Sequence, residues 1–201
     1  KPYSSTSIYA AKIICGDCGS YFGAKVWHSN SKYRRVIYQC NSKFKGSHFC
    51  TTPHLYEPEI QEKFLQAFAQ YFSQKDVVIK NCQFALNHLK KQESRKAELQ
   101  DEFVAVNEKL KEYIQHGGEN FDALNAKYEE LSAQLDAEEA AEFDRKRRIA
   151  KMQKILQTLK KTDSVLETFD ESVWNAVLEN LTVFHDGSLV FLFRDGTEIK
   201  V

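Results

Sequence analysis

The sequence predicts an α+β protein: a cysteine-pinned β-ribbon and a small helix and β-meander body, with a long antiparallel coiled-coil hairpin inserted into it. Three observations predict this. Four cysteines stand near the start in paired spacing, Cys15 with Cys18, then Cys40 with Cys50. Two long heptad stretches flank a helix stop at His116-Gly117-Gly118. Two Asp-Gly turns, Asp186-Gly187 and Asp195-Gly196, separate short alternating segments at the end.

The ribbon comes first. Cys15-Gly16-Asp17-Cys18 is a knuckle, and a second cysteine pair about twenty residues later completes the spacing of a zinc ribbon. We assign residues 8–55 to it. Ile8 to Ile14, Tyr21 to Trp27 and Arg34 to Gln39 read as strands, with a polar turn over residues 28–32. Gly19 can take the left-handed conformation that turns backbone N–H groups toward thiolates. Four thiolates, Cys15, Cys18, Cys40 and Cys50, leave no open position, so the zinc is structural and supplies folding free energy to a ribbon with little core. Two disulfides are the alternative use of these cysteines. His48 or His54 is the alternative to Cys50, because the second pair is wider than a second knuckle.

The body follows. Pro53 and Pro58 punctuate the exit from the ribbon, and a helix begins near Tyr56 or Glu57, occupying residues 56–75. Ile60, Phe64, Leu65, Phe68, Tyr71 and Phe72 give it an apolar stripe. Residues 162–201 complete the body. Thr162-Asp163-Ser164 and Thr168-Phe169-Asp170-Glu171 supply caps. A short helix over 171–180 buries Val173, Trp174, Val177, Leu178 and Leu181, and a three-stranded meander ends the chain.

Residues 76–161 form the coiled coil, with its tip near 116–119. Seam positions run from Cys82 to Tyr113 and from Phe121 to Leu159 with spacings of three and four, both unbroken. So short a joint folds the arms back antiparallel. Facing residues then share one index sum: Tyr113 with Phe121, Leu110 with Leu124, Val106 with Tyr128, Phe103 with Leu131 and Leu99 with Leu135 all give 234. Each arm spans about 60 Å at the usual helical rise. Gln92, Lys96, Glu138, Glu142 and Arg145 make a polar stretch in the seam. It either specifies register or marks a flexible point. Cys82 lies on the seam as a small buried apolar group.

Charge divides the chain's roles. The net charge of the 201 residues is zero, but residues 1–55 hold eight Lys or Arg against Asp17 alone, a local +7. The remainder carries −7. The basic block suits a phosphate backbone. Lys25, Lys32, Arg34, Arg35, Lys43 and Lys45 flank the strands and the cysteine loop, and a two-stranded ribbon fits a major groove, where Asn30 and Arg34 can read base edges. Tyr33 and Trp27 stack or support the ribbon. A merely solvated face is the plain alternative for these cations.

Several function classes are excluded. No apolar run approaches the roughly 18 residues of a membrane span. No motif joins nucleophile, base and orienting group, and no Gly-rich loop cradles phosphate. The acidic run from Asp136 to Glu142 reads as a solvated face. Residues 1–7, Lys-Pro-Tyr-Ser-Ser-Thr-Ser, carry neither an initiator Met nor a signal peptide and read as a linker into a fragment.

The order of motifs is specific: Ile13-Ile14-Cys15-Gly16-Asp17-Cys18-Gly19, then Tyr33 to Cys40, then Cys50-Thr51-Thr52-Pro53-His54, a long coiled coil, Phe169-Asp170-Glu171 with Trp174, and strands carrying Asp186-Gly187 and Asp195-Gly196-Thr197-Glu198-Ile199. It resembles the C-terminal zinc-ribbon and coiled-coil region of the large serine recombinases, the integrases and transposases of phages and mobile elements. The resemblance implies a parent that cuts and rejoins DNA, whose catalytic serine lies in a domain outside this sequence, so the fragment itself is not an enzyme. It implies that the ribbon binds attachment-site double-stranded DNA and that the coiled coil contacts another recombinase subunit, controlling synapsis and direction. Tyr113, Ile114 and Phe121 near the tip are the expected contact residues. The implied setting is a bacterial cytoplasm, with no membrane and no small-molecule substrate. A zinc-stabilised coiled-coil scaffold without DNA binding is the competing reading.

Overall fold

The computed structural model describes residues 7–44, 50–92, 94–117 and 120–201. The chain forms two compact units. One comprises Lys1–Gln83 and Lys151–Val201, and the other is Phe84–Ala150, inserted between those two segments. Among the described residues no helix is long and apolar enough to cross a membrane.

The first unit holds two sheets. Strands β2 (Phe22–Trp27), β3 (Arg35–Cys40) and β4 (Leu55–Tyr56) form a three-stranded antiparallel sheet in that order. Strand β1 (Ile13–Cys15) joins β5 (Leu178–Val183), β6 (Leu189–Phe193) and β7 (Glu198–Lys200) in a four-stranded sheet, order β1-β5-β6-β7. This corrects the sequence reading twice. The strand expected over Ile8 to Ile14 is only three residues long, because residues 7–12 are turns. It also leaves the ribbon to run parallel to β5, with Ile13 opposite Leu181 and Cys15 opposite Val183. Ribbon and body therefore share a sheet, and the expected meander β5-β6-β7 gains a fourth strand.

Helix α1 (Glu57–Ser73) starts where the sequence indicated. The Tyr56 N–H donates to the Glu59 carboxylate at 3.3 Å, and Glu57 and Glu59 place negative charge at the positive end of the helix. Ile60, Phe64, Ala67, Phe68 and Tyr71 form its buried face. Phe64 meets Trp174 edge-on at 5.0 Å, Trp174 meets Tyr9 at 5.3 Å, and Tyr71 stacks flat on Phe193 at 3.9 Å. This aromatic cluster is the centre of the core. Cys82 is buried in the same core, as a small apolar side chain.

Helix α5 is Glu171–Val177, shorter than the expected 171–180. Asp170 caps it, accepting from the N–H groups of Ser172 and Val173. Leu178 and Leu181 are buried as expected, but on a strand. Once β1 and β6 stand on either side, strand geometry satisfies the backbone here and still buries Leu178, Leu181 and Val183. The hairpin turns are the Asp-Gly pairs. Gly187 and Gly196 take φ of 82° and 94°, and Asp186 and Asp195 accept from the N–H groups of Ser188 and Thr197.

In the second unit, α3 (Lys96–His116) and the Phe121–Ala150 stretch of α4 (Phe121–Lys161) run antiparallel. Tyr113 packs on Phe121 at 5.2 Å, Phe103 on Tyr128 at 4.7 Å, and Lys96 pairs with Glu139 at 2.8 Å. Leu99, Leu110 and Leu131 are the buried seam residues. Gly117 stops α3 with φ of 71°. The first seam is not unbroken. Helix α2 (Lys75–Lys91) ends before Gln92, and α3 begins at Lys96. Ser94 donates its hydroxyl, and Arg95 its backbone N–H, to the Glu138 carboxylate at 3.1 and 3.3 Å. These polar residues have no apolar seam to bury, so the backbone leaves the helix where side chains can meet Glu138. Gly118, and the residues of the expected tip at 118–119, lie outside the described residues.

Candidate metal centre and nucleic-acid interface

Three short pieces of chain bring the cysteines together: the knuckle, the end of β3 and the segment before β4. Cys15 ends β1, Cys18 lies on the knuckle turn, Cys40 ends β3 and Cys50 precedes β4. Their Sγ atoms all lie within 4.8 Å of one another, with Cys15–Cys50 and Cys18–Cys40 each at 3.4 Å. A disulfide needs about 2.05 Å, so these are thiols. Four sulfurs around a tetrahedral zinc stand about 3.8 Å apart, given Zn–S bonds of about 2.3 Å. The four cysteines therefore fit a closed structural zinc site.

The electrostatics agree with that fit. Burial pushes the Cys15 and Cys40 thiols up, while the Ser20 backbone N–H holds Cys18 down to about 6. A zinc ion bound among these sulfurs would favour their thiolate form. The backbone assists: the Ser42 N–H points at Cys40 Sγ at 3.4 Å, and the Gly19 N–H closes the knuckle on the Cys15 carbonyl at 2.9 Å. Gly19 takes φ of 71° to do so. Of the alternatives to Cys50, His54 is engaged elsewhere, its Nε2 on the Tyr56 hydroxyl at 3.2 Å and its ring 4.7 Å from Trp27. His48 lies outside the described residues.

Sequence reasoning missed the surroundings of the sulfurs. Thr52 is fully buried, with its hydroxyl oxygen 3.0 Å from Cys15 Sγ and 3.1 Å from Cys50 Sγ. That hydroxyl donates to the Asp17 carboxylate at 2.6 Å. His185, on the β5–β6 turn, reaches the Thr51 hydroxyl at 3.1 Å. Only the position of Thr52 two residues after Cys50 signals its role in the sequence. Gly16 is confined as well: a Cβ there would lie 2.6 Å from the Phe184 ring.

The β2–β3 hairpin carries the basic residues. Lys25, Asn30, Lys32, Tyr33, Arg34 and Arg35 are all exposed. Trp27 pairs with Arg35 and Lys25 with Ile37, so Lys25, Trp27 and Arg35 share one face. The Lys32 ammonium sits 5.2 Å from the Tyr33 ring, and the Arg35 guanidinium 5.4 Å from the Tyr56 ring. None of Lys25, Lys32, Arg34 and Arg35 pairs with a carboxylate among the described residues. Lys43 departs from the group. Its ammonium donates to the Thr52 carbonyl at 3.0 Å, which ties it to the cysteine loop. Lys45 lies outside the described residues. Phe44, next to Lys43 in the chain, is 74% exposed.

At the end of α3 and the start of α4, Ile114 is 75% exposed and Phe121 41% exposed, while Tyr113 is half-buried against Phe121.

Comparison with known proteins finds a likeness for about the first third of the chain. Residues 8–69 match the family model described as "Recombinase zinc beta ribbon domain". No curated protein matches. Among solved structures, the chain is similar to one in a crystal structure of an LSR–DNA complex, with 16% identity and a TM-score of 0.41. The similarity covers 95% of this chain and 57% of that one, so the chain spans little more than half the length of its structural neighbour.

Proposed function

We propose that this chain, whose residues 8–69 form a recombinase zinc β-ribbon domain, is the DNA-binding and subunit-bridging module of a serine recombinase. The observation that carries the reading is the hairpin. A zinc site whose four ligands come from three pieces of chain holds rigid a β-ribbon with four exposed cations free of carboxylates among the described residues. Cations on a rigid ribbon release counterions from a duplex on binding, and that term dominates affinity. In this reading Asn30 and Arg34, exposed at the hairpin end, read base edges, while Lys25, Lys32 and Arg35 hold phosphates. Tyr33 supplies an exposed ring.

The antiparallel α3 and α4 helices serve as a coiled-coil arm. Tyr113, Ile114 and Phe121 give it an apolar end that contacts the arm of another recombinase subunit. Bond cleavage is the task of a different domain of the parent. Thiolates, zinc and a DNA partner suit a bacterial cytoplasm.

Selection of duplexes from a random pool tests the first half: the zinc-loaded protein should enrich one half-site motif. A scaffold without DNA binding would enrich none. Ile114→Glu with Phe121→Glu tests the second half. In the parent recombinase this pair should abolish synapsis and leave half-site binding intact. Joint loss of both would show that the division of labour is wrong.

A further inference from the structure

Strand β1 has a zinc ligand at one end and a half-buried lysine at the other. Lys12 precedes Ile13, and its ammonium donates to the Leu178 carbonyl at 2.6 Å. The Arg194 Nε donates to the same carbonyl at 3.1 Å. The next residue, Glu179, falls where the β5–β6 register shifts. Its carboxylate meets Lys151 at 2.7 Å and Arg194 at 3.6 Å. Lys154 follows Lys151 on α4, is exposed, and forms no ion pair among the described residues. Burial first, then the Arg194 charge, hold the Lys12 ammonium down at about 8, with Lys151 and Lys154 adding to the effect and Glu179 opposing it.

These residues give four cations to one carboxylate. The cluster therefore carries an excess of positive charge that Glu179 alone does not neutralise. The excess is also only partly hydrated: the side chains of Arg194 and Lys151 are 19% and 30% exposed. A concentrated, half-desolvated positive field of this kind favours a multivalent anion, and a guanidinium fork beside ammonium groups matches the oxygens of phosphate. The Arg194 Nη groups have no partner among the described residues.

We propose that Lys12, Lys151, Lys154 and Arg194 form a phosphate-binding site on the body, with Glu179 offsetting part of their charge while it is empty. Lys12 is three residues from Cys15, about 10 Å of strand, so the site lies beside the metal-pinned ribbon. The site's phosphate is either a phosphodiester of bound DNA, which rests on the DNA-binding reading above, or free phosphate.

Two arms separate these sources. In the first, duplex binding by the zinc-loaded protein is titrated against salt. Lys154→Gln should weaken binding and reduce the salt slope by about one. Glu179→Gln should tighten binding, whereas a network that merely clamps α4 to β5 would lose stability and leave binding unchanged. In the second arm, inorganic phosphate is compared with chloride at equal ionic strength. Phosphate should raise the melting temperature of the native protein and not that of the Lys154→Gln, Arg194→Gln pair. A response in the first arm supports the site with DNA as its source. A response to phosphate alone supports it with free phosphate as its source. No response in either arm overturns it. If the native protein binds no duplex at all, the DNA-binding reading fails, and the phosphate arm still decides the site.

Discussion

The Gly16 N–H donates to the Val183 carbonyl at 2.8 Å, which ties the turn between two zinc ligands to a strand from the far end of the chain. Cys15 stands opposite Val183 in the same sheet, and the Leu181 N–H reaches back to the Lys12 carbonyl at 2.8 Å. The metal centre and the C-terminal sheet are therefore one structure.

Removing zinc should for that reason be felt beyond the cysteines. Structural zinc sites are worth about 10–16 kcal/mol in apparent terms. Chelation should unfold the ribbon and also speed amide exchange at Gly16 and Leu181, measured by hydrogen–deuterium exchange. Unchanged protection at Leu181 would separate the two.

Gly16→Ala should destabilise the protein. The new methyl would lie 2.6 Å from Phe184, and overpacking of this kind costs about 1–3 kcal/mol. Urea unfolding measures the loss. Combining it with Phe184→Leu should recover part of it, because the smaller side chain vacates the clash.

Trp174→Ala should cost about 3–5 kcal/mol, the range for large aromatic truncations in a core. The ring is fully buried between Tyr9, Phe64 and Phe169, and its Nε1 donates to the Ile8 carbonyl at 3.3 Å. A loss under 1 kcal/mol would show that the cluster collapses around the gap.

Asp170 links stability to acid. The Ser172 hydroxyl first, then the backbone N–H of Val173, hold its carboxyl below the ordinary aspartate range. A lowered folded value means that this stabilisation is present at neutral pH. It is lost as pH falls from the unfolded value, about 3.9, through the lower folded one. Asp170→Asn keeps a cap and should flatten this part of the acid limb in thermal melts from pH 5 to pH 2.

Much of this architecture was legible because it is local. The cysteine spacing identified all four sulfurs, the apolar stripe identified α1, and the Asp-Gly pairs identified both hairpin turns. What was not legible depends on partners distant in the chain. Leu178 and Leu181 fit a helix or a strand by spacing alone, and only pairing with β1 and β6 decides it. The three residues of β1 are too few to announce a parallel partner. Heptad spacing through Gln92 and Lys96 counts positions but not apolar contacts, so it ran across a break between α2 and α3. Lys43 matches its basic neighbours in sequence, but its ammonium donates to the Thr52 carbonyl, a partner nine residues on that only the fold brings near. Lys12, Lys151 and Arg194 are scattered in the sequence and come together around Leu178 and Glu179 only in the fold.

The central claim is that the zinc-held hairpin binds the DNA backbone. Its most direct measurement is the salt dependence of duplex binding by the zinc-loaded protein and its Arg34→Ala, Arg35→Ala variant. The native protein should bind with a linear fall of log K against log salt. The variant should bind more weakly, with a slope smaller by about two. Equal affinity and equal slope in the two proteins would contradict the claim.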